Sequence, residues 1–466
     1  KMTGDLLQRI NDHKRIESFL TNSSLNTLFS FINLFVFGAV LAIYDWVIFG
    51  VFLGGSILHI AWVAFFLKKR RQLDYKRFNQ LAANQSNLIQ LVTGMQEIKL
   101  NNYEKRKRWE WEKIQAALFQ VSVKGLQLEQ YQQIGALVFN EVKNILITFI
   151  AAKAVIEGDM TLGMMMAVSY IIGQLNAPIA QLIQFLKLGQ DAKISLERLG
   201  EIHNQKEEGS ESTGITIMPE KGDLNLENLS FQYGGPQSEM VLKNVTLQIP
   251  ENKITAIVGT SGSGKTTLVK LLLKFYESTK GKIRLGDIGL NNIESRLWRD
   301  RCGAVMQDGF IFSESIARNI AVSDDIIDKR KLLKAVKSAN IQQFIESLPL
   351  GYNTKIGQEG MGLSGGQKQR ILIARAIYKN PDYIFFDEAT SALDAKNERI
   401  IMENLEEFYK GRTVVIVAHR LSTVQNADQI VVLEAGELVE LGTHEELVAK
   451  RGNYYTLVKN QLELGS

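Results

Sequence analysis

The sequence KITAIVGTSGSGKTTLVKLLLKF, residues 253–275, decides the fold of the second half of the chain. KITAIVG has the pattern of a β-rich apolar strand, and TTLVKLLLKF has the pattern of a helix. The glycine-rich turn between them matches G-x-x-x-x-G-K-[ST], and a preceding strand and a following helix are the context that this motif requires. We therefore predict an α/β domain with a phosphate-binding loop (P-loop).

The chemistry of this loop points to a nucleoside triphosphate with Mg²⁺. Glycines let backbone N–H groups close around phosphate oxygens, and the N-terminus of the following helix adds its positive dipole. Lys265 is expected to neutralise the β- and γ-phosphates, and the Thr266 hydroxyl is expected to ligate Mg²⁺. The predicted ATP-binding residues of the loop are Gly259, Thr260, Ser261, Gly262, Ser263, Gly264, Lys265, Thr266 and Thr267.

Two further strands are predicted to end in chemically active side chains. YIFFDEAT (383–390) has four apolar residues before its carboxylates, as a buried parallel strand does. Asp387 is placed to hold Mg²⁺, and Glu388 is the candidate general base. RTVVIVAH (412–419) delivers His419 at its carboxyl end, where ligands gather in open α/β sheets.

A second glycine-rich helix entrance, LSGGQ at 363–367, lies about a hundred residues further on. Ser364 is the predicted N-cap, and the N–H groups of Gly365 and Gly366 are free to meet an anion. Spacing alone leaves open which molecule carries that anion, and an ordinary helix start is the alternative.

The overall composition is the average of two halves that differ in their apolar content. Hydrophobic residues make up 45% of the 466 and charged residues 22%, but long apolar runs are confined to the part before Gly189. Much of the basic excess lies beside those runs, as in KKRR (68–71), which suits a membrane surface and not nucleic acid. The single cysteine, Cys302, excludes an internal disulfide and indicates a reducing compartment. The chain does not begin with Met, so we expect it to be a piece of a longer protein.

Four apolar segments are long enough to span a bilayer, which takes about 20 helical residues. They are residues 25–43, 46–67, 134–156 and 160–188. The short turns between them lack Lys and Arg, so the positive-inside rule places both chain ends in the cytoplasm. Buried helices of a large soluble protein are the alternative. Glu141 and Lys143 in the third span face either a translocation path or the membrane interface, and the sequence leaves both possibilities open.

Five motifs in one order make residues 223–466 resemble the ATP-binding-cassette (ABC) family. They are GTSGSGKTT, VMQD, LSGGQ, YIFFDEATSALD and VAHR. The resemblance implies an antiparallel β subdomain and a helical subdomain beside the P-loop core. It also implies that Tyr233 stacks on adenine, that Gln307 senses Mg²⁺ and the γ-phosphate, that Asp394 lines a dimer interface and that His419 contacts the γ-phosphate.

The resemblance sorts these residues by role and implies a partner. The catalytic set is Glu388, His419, Gln307 and Lys265, the metal set is Thr266, Gln307 and Asp387, and the second nucleotide contact is Ser364, Gly365, Gly366 and Gln367. In this family two cassettes pack head to tail, so LSGGQ closes over the ATP held by the partner's loop. A second copy of the chain is therefore the expected partner.

The first half resembles the membrane domain of ABC exporters, whose subunits have six spanning helices. Residues 3–16 and 93–103 resemble the cytoplasmic coupling segments, so residues 1–188 are expected to form a partial domain of four spans, followed by a linker at 189–222. Gln358, before the signature motif, departs from the Glu common in exporters.

A narrower resemblance concerns the cargo. RINDHKRIESFL, GMQEIKLNN and DAKISLERL resemble peptide exporters with an N-terminal leader peptidase that cuts after a double-glycine leader. No Cys/His domain is in the sequence, so ATP hydrolysis without peptidase activity is expected. The resemblance implies ATP-driven export of a bacteriocin-like peptide across the cytoplasmic membrane. Lipid or drug export is the first alternative, and a soluble cassette ATPase or a channel regulator is less favoured.

Overall fold

The computed structural model describes residues 3–203, 221–235, 238–357, 360–390, 395–418 and 424–464. The chain forms two compact units, Lys1–Gln205 and Lys206–Ser466. We call the first the membrane unit and the second the cassette unit, and each is described by itself.

The described residues of the membrane unit are almost entirely helical. Its helices are α1 (Thr3–Ser18), α2 (Ser24–Tyr44), α3 (Trp46–Thr93), α4 (Met95–Leu100), α5 (Glu104–Glu157) and α6 (Leu162–His203), and a π-helical turn at Phe19–Ser23 joins α1 to α2. Asp45 alone separates α2 from α3, and its carboxylate caps α3 by accepting hydrogen bonds from the N–H groups of Val47 and Ile48 at 2.7 and 2.9 Å.

Four helical stretches are long and apolar enough to cross a membrane: Asp5–Tyr44, Trp46–Thr93, Glu104–Glu157 and Leu162–Glu201. Each coincides with one of the four predicted apolar segments, so the chain is a multi-pass membrane protein. Two boundaries differ from expectation. The last spanning helix begins at Leu162, because residues 158–161 form the turn, and α6 continues to His203, which makes the first part of the expected linker helical.

Lys143 on α5 is buried, with 3% of its surface exposed, whereas Glu141 is exposed. The Lys143 ammonium donates a hydrogen bond to Asn176 Oδ1 on α6 at 2.9 Å and lies 4.6 Å from the ring centre of Phe52 on α3. An amide acceptor and an aromatic face therefore compensate this cation inside the helical bundle.

A cluster of buried charges joins α1, α3 and α6. The Arg198 guanidinium on α6 is 2% exposed and donates to Asp12 Oδ1 at 2.9 Å and to Asp74 Oδ2 at 3.1 Å. Its planar face lies 4.3 Å from the ring centre of Phe78, and Ser195 donates a further hydrogen bond to Asp12. Partners on two other helices thus compensate the charge that α6 buries.

The cassette unit has two sheets. Its strands are β1 (Leu224–Phe231), β2 (Leu242–Ile249), β3 (Ile254–Gly259), β4 (Lys280–Leu285), β5 (Ile288–Gly289), β6 (Cys302–Val305), β7 (Tyr383–Asp387), β8 (Thr413–Val417), β9 (Gln429–Glu434) and β10 (Glu437–Gly442). The antiparallel sheet has the order β2-β1-β4-β5, and the larger sheet has the order β10-β9-β3-β8-β7-β6. The antiparallel pairing of β1 with β2 and β4 confirms the expected antiparallel β subdomain.

Helices cover the sheets and form the helical subdomain. They are α7 (Lys265–Leu272), α8 (Ser295–Asp300), α9 (Ile316–Ile320), α10 (Lys329–Ser338), α11 (Gln342–Glu346), α12 (Gly365–Lys379), α13 (Ala395–Tyr409), α14 (His444–Lys450) and α15 (Asn453–Leu464). All five residues of β7 and of β8 are buried, which explains their continuous apolar sequences. Because β3, β7 and β8 run parallel, their carboxyl ends meet at one edge of the sheet.

Replacing Arg198 with leucine tests the buried cluster. Arg198→Leu leaves two carboxylates without their shared cation, so we expect a loss of about 3–5 kcal/mol in the stability of the membrane unit. The matched control is Arg71→Leu, which removes a solvent-exposed ion pair with Glu197 and should cost about 0–1 kcal/mol. Thermal unfolding of the purified protein in detergent measures both changes, and equal melting temperatures for the two variants would show that the cluster does not stabilise the unit.

Candidate nucleotide-binding site

The glycine-rich loop follows β3 directly. The carboxylates of YIFFDEAT lie at the end of β7, two strands away from β3 in the sheet. A hydrogen bond spans the gap between them, because the Thr266 hydroxyl on α7 donates to Asp387 Oδ1 at 3.1 Å. Two of the three predicted Mg²⁺ ligands therefore lie together at the carboxyl edge of the sheet.

Two glycines of the loop occupy positions that another residue could not. Gly259 has φ +153°, and a Cβ there would lie 2.1 Å from the Leu433 carbonyl oxygen. Gly264 has φ +99°, and a Cβ there would lie 2.7 Å from the Leu242 side chain. The loop backbone consequently packs against its neighbours more closely than a side chain would allow.

The Lys265 ammonium lies at the centre of the loop. It donates hydrogen bonds to the carbonyl oxygens of Gly259 and Thr260, each at 2.9 Å. Burial lowers the pKa of Lys265, and the carboxylates of Glu388 and Asp387 oppose that shift. The carbonyl oxygens carry only partial negative charge. A phosphate oxygen bound at the loop would give the Lys265 ammonium a fully anionic partner.

The surroundings of Asp387 suit a divalent cation. Asp387 is fully buried, and within the described residues its Oδ2 has no hydrogen-bond partner. Burial raises the pKa of this carboxyl, and the hydrogen bond from Thr266 opposes the shift. A hydroxyl oxygen beside an unsatisfied carboxylate oxygen is the hard donor set that Mg²⁺ prefers, so the residues present fit the ion.

Glu388, the candidate base, has a left-handed backbone with φ +52°. Its N–H donates to the Val417 carbonyl oxygen of β8 at 3.1 Å, and its Oε2 accepts a hydrogen bond from the Gln307 amide at 3.2 Å. A non-glycine residue persists in this conformation only when its surroundings hold it there. The geometry therefore brings Gln307 and Glu388 together and fixes the carboxylate beside the Asp387 site.

Tyr233, predicted to stack on adenine, has a half-exposed ring next to the loop. Its hydroxyl lies 3.0 Å from Thr267 Oγ1, and its ring meets Tyr276 edge to face with centroids 5.2 Å apart. Tyr276 was not foreseen from the sequence, because nothing in its local pattern separates it from an ordinary aromatic residue. Phe231 also meets the Tyr233 ring edge to face, with centroids 4.9 Å apart, so two aromatic neighbours support this ring.

The LSGGQ motif begins α12, and Ser364 is its N-cap, as predicted. The Ser364 hydroxyl accepts from the Gln367 N–H at 3.2 Å, while the Gln367 side chain accepts from the Ser364 N–H at 2.9 Å. Gln367, expected to contact nucleotide, thus has its side chain in this capping box. Gly365 and Gly366 form the first helical positions, and Ser364 and Gly365 are exposed.

Sequence reasoning missed a second residue of the site, besides Tyr276. The Gln369 amide on α12 donates to the backbone carbonyl oxygen of Glu388 at 2.8 Å, and no motif spacing signals that contact. Two predicted site residues, Asp394 and His419, lie outside the described residues, as does Gln358.

Comparison with known proteins covers both units. Residues 1–179 match the family described as ABC transporter transmembrane region, and residues 242–391 match the family described as ABC transporter. The leukotoxin translocation ATP-binding proteins LktB of Mannheimia haemolytica and Bibersteinia trehalosi are each 38% identical to this chain over 466 residues. The alignment covers the whole chain but 65% of each relative, so the chain spans about two thirds of their length.

A solved structure extends the likeness to the whole fold. A bacterial Atm1-family ABC exporter with ATP bound superposes with a TM-score of 0.91 at 25% sequence identity, covering 98% of this chain and 80% of that one. With a matching transmembrane region, a matching cassette and the nucleotide-site geometry described above, the chain belongs to the ABC transporter family.

Proposed function

We propose that the chain binds and hydrolyses ATP with Mg²⁺ and uses that energy to export a polypeptide across the cytoplasmic membrane, as one half of a head-to-tail dimer. The observation that carries the proposal is the buried, unsatisfied Asp387 oxygen between Thr266 and the strained Glu388. That arrangement fits a magnesium nucleotide and has no evident purpose in a purely structural fold.

Each residue has a defined task in ATP hydrolysis. The loop N–H groups and Lys265 bind the phosphates, and Lys265 exchanges its carbonyl acceptors for phosphate oxygens. Glu388 orients the attacking water and accepts its proton, and Gln307 holds the carboxylate through its amide. Thr266 and Asp387 would hold Mg²⁺, which would supply neutralising charge to the phosphates. Asp394 and His419 complete the proposed site at the dimer interface and the γ-phosphate.

Helix α12, which begins with the LSGGQ motif, supports the proposed dimer. Its N-terminus exposes Ser364 and Gly365 and directs the positive end of a 15-residue helix outward. In the proposed dimer this end meets the γ-phosphate of the nucleotide held by the other copy. Each copy would then provide one half of two identical sites.

The proposed cargo and orientation rest on the relatives and on the charges that flank the spans. The curated relatives are named for leukotoxin translocation, which supports a polypeptide cargo. The basic segments that flank the spans support placing the cassette in the cytoplasm. We propose residues 1–188 as the membrane domain, 189–222 as the connection and 223–466 as the cassette.

Replacing Glu388 with glutamine tests the base. Glu388→Gln keeps the shape of the side chain but cannot accept a proton, so steady ATP turnover should fall about 10²–10⁴-fold while ATP binding persists. Phosphate release and equilibrium nucleotide binding, measured on one preparation, separate the two effects. Turnover near that of the parent chain would remove Glu388 from this role.

Combining two inactive subunits tests the head-to-tail arrangement. Lys265→Ala disables the loop and Gly366→Asp disables the helix entrance, so each homodimer should be inactive. A mixed dimer isolated through two different tags contains one site with both defects and one intact site. Its turnover should therefore return to roughly half the parental value. If helix and loop of the same chain acted together, the mixed dimer would stay inactive.

The cargo class is open to a direct comparison. We expect a synthetic peptide with a double-glycine leader to raise ATP turnover by the protein reconstituted in lipid vesicles, because cargo binding favours closure of the cassettes. A hydrophobic dye and a change of phospholipid headgroup serve as controls for drug and lipid transport. Stimulation by a control alone would replace the peptide proposal with the corresponding alternative.

A further inference from the structure

The Gln369 side chain connects α12 to Glu388, the residue that follows β7. Gln369 is the fifth residue of α12 and is 8% exposed. Its amide nitrogen donates to the Glu388 carbonyl oxygen at 2.8 Å, a distance typical of a well-formed hydrogen bond. A leucine would fill the same buried position, so the amide is useful there only through the hydrogen bonds it makes.

The hydrogen bond from Gln369 is made to the carbonyl group of Glu388, whose backbone conformation is strained. With φ +52°, Glu388 has a backbone conformation that a side chain disfavours. Val417 on β8 fixes the N–H of Glu388, and Gln369 on α12 fixes its carbonyl group. The two anchors lie on either side of the Cα atom, so together they set the direction in which the carboxylate leaves the backbone.

We propose that Gln369 is a positioning residue for the general base of its own subunit: it holds the Glu388 backbone so that the carboxylate meets the attacking water. This inference rests on the proposed ATP hydrolysis. It gives α12 two roles in two different sites, since its N-terminus serves the nucleotide of the partner and Gln369, one turn later, serves the nucleotide of its own loop.

The first test separates catalysis from binding. Gln369→Leu removes the donor and keeps the volume of the side chain, so kcat should fall about 10²-fold, the usual cost of misplacing a catalytic group by about 1 Å. The KM for ATP and direct ATP binding should stay close to parental, because the phosphate loop is untouched. The control Gln342→Leu removes a glutamine hydrogen bond to Glu346 on α11 and should leave kcat unchanged.

A second variant reports on the hydrogen bond itself. Gln369→Glu places a carboxyl group opposite the Glu388 carbonyl oxygen, and this group donates only when protonated. The turnover of Gln369→Glu relative to the parent chain should therefore rise as the pH is lowered from 8.5 to 6.0. A flat ratio would show that a hydrogen bond at this place does not govern turnover.

Mixed dimers then distinguish the two roles of α12. In a dimer whose partner carries Lys265→Ala, a single loop is functional. Gln369→Leu should lower turnover about 10²-fold when it lies in the subunit with the functional loop and should have little effect in the other subunit. The opposite pattern, parental kcat in Gln369→Leu, or an equal loss of ATP binding and kcat would overturn the inference. A parent chain that binds ATP without hydrolysing it would instead overturn the proposed function.

Discussion

The hydrogen bond between Thr266 and Asp387 is the constraint around which the cassette unit is organised. It requires the end of β3 and the end of β7 to lie at the same edge, although β8 separates the two strands. Parallel pairing of these three strands achieves this, and the burial of nearly all their residues makes the register hard to shift. The same edge carries Lys265 at the start of α7 and Glu388 directly after β7.

The membrane unit obeys a related rule at a different scale. A charge removed from water is tolerated only with a partner close by, and both buried cations described there have one. Arg198 is shared by carboxylates on two helices, whereas Lys143 relies on an amide and an aromatic ring. The Arg198 cluster therefore joins three helices through ion pairs, whereas Lys143 has only uncharged partners.

Local sequence signals predicted much of this architecture. The loop at 259–267, the strands ending at Asp387 and near His419, the N-cap at Ser364 and the four spanning segments all depend on short-range patterns of glycine, apolar residues and caps. The left-handed Glu388, the contact of Gln369 and the cluster around Arg198 join residues distant in sequence, and a single chain carries no local mark of such contacts. Helix α6 continues to His203, beyond its apolar segment. The added part of the helix is held by packing of one face, because it is no longer apolar all round.

The single-residue link at Asp45 has a mechanical consequence. With one non-helical residue between them, α2 and α3 cannot separate at that end, so any relative motion there is a pivot. Helix α3 has 48 residues and, at about 1.5 Å per residue, measures about 72 Å. A swing of ten degrees about this hinge would carry the far end through an arc of about 13 Å. A small angular change at the Asp45 link would therefore become a large displacement at the other end of α3.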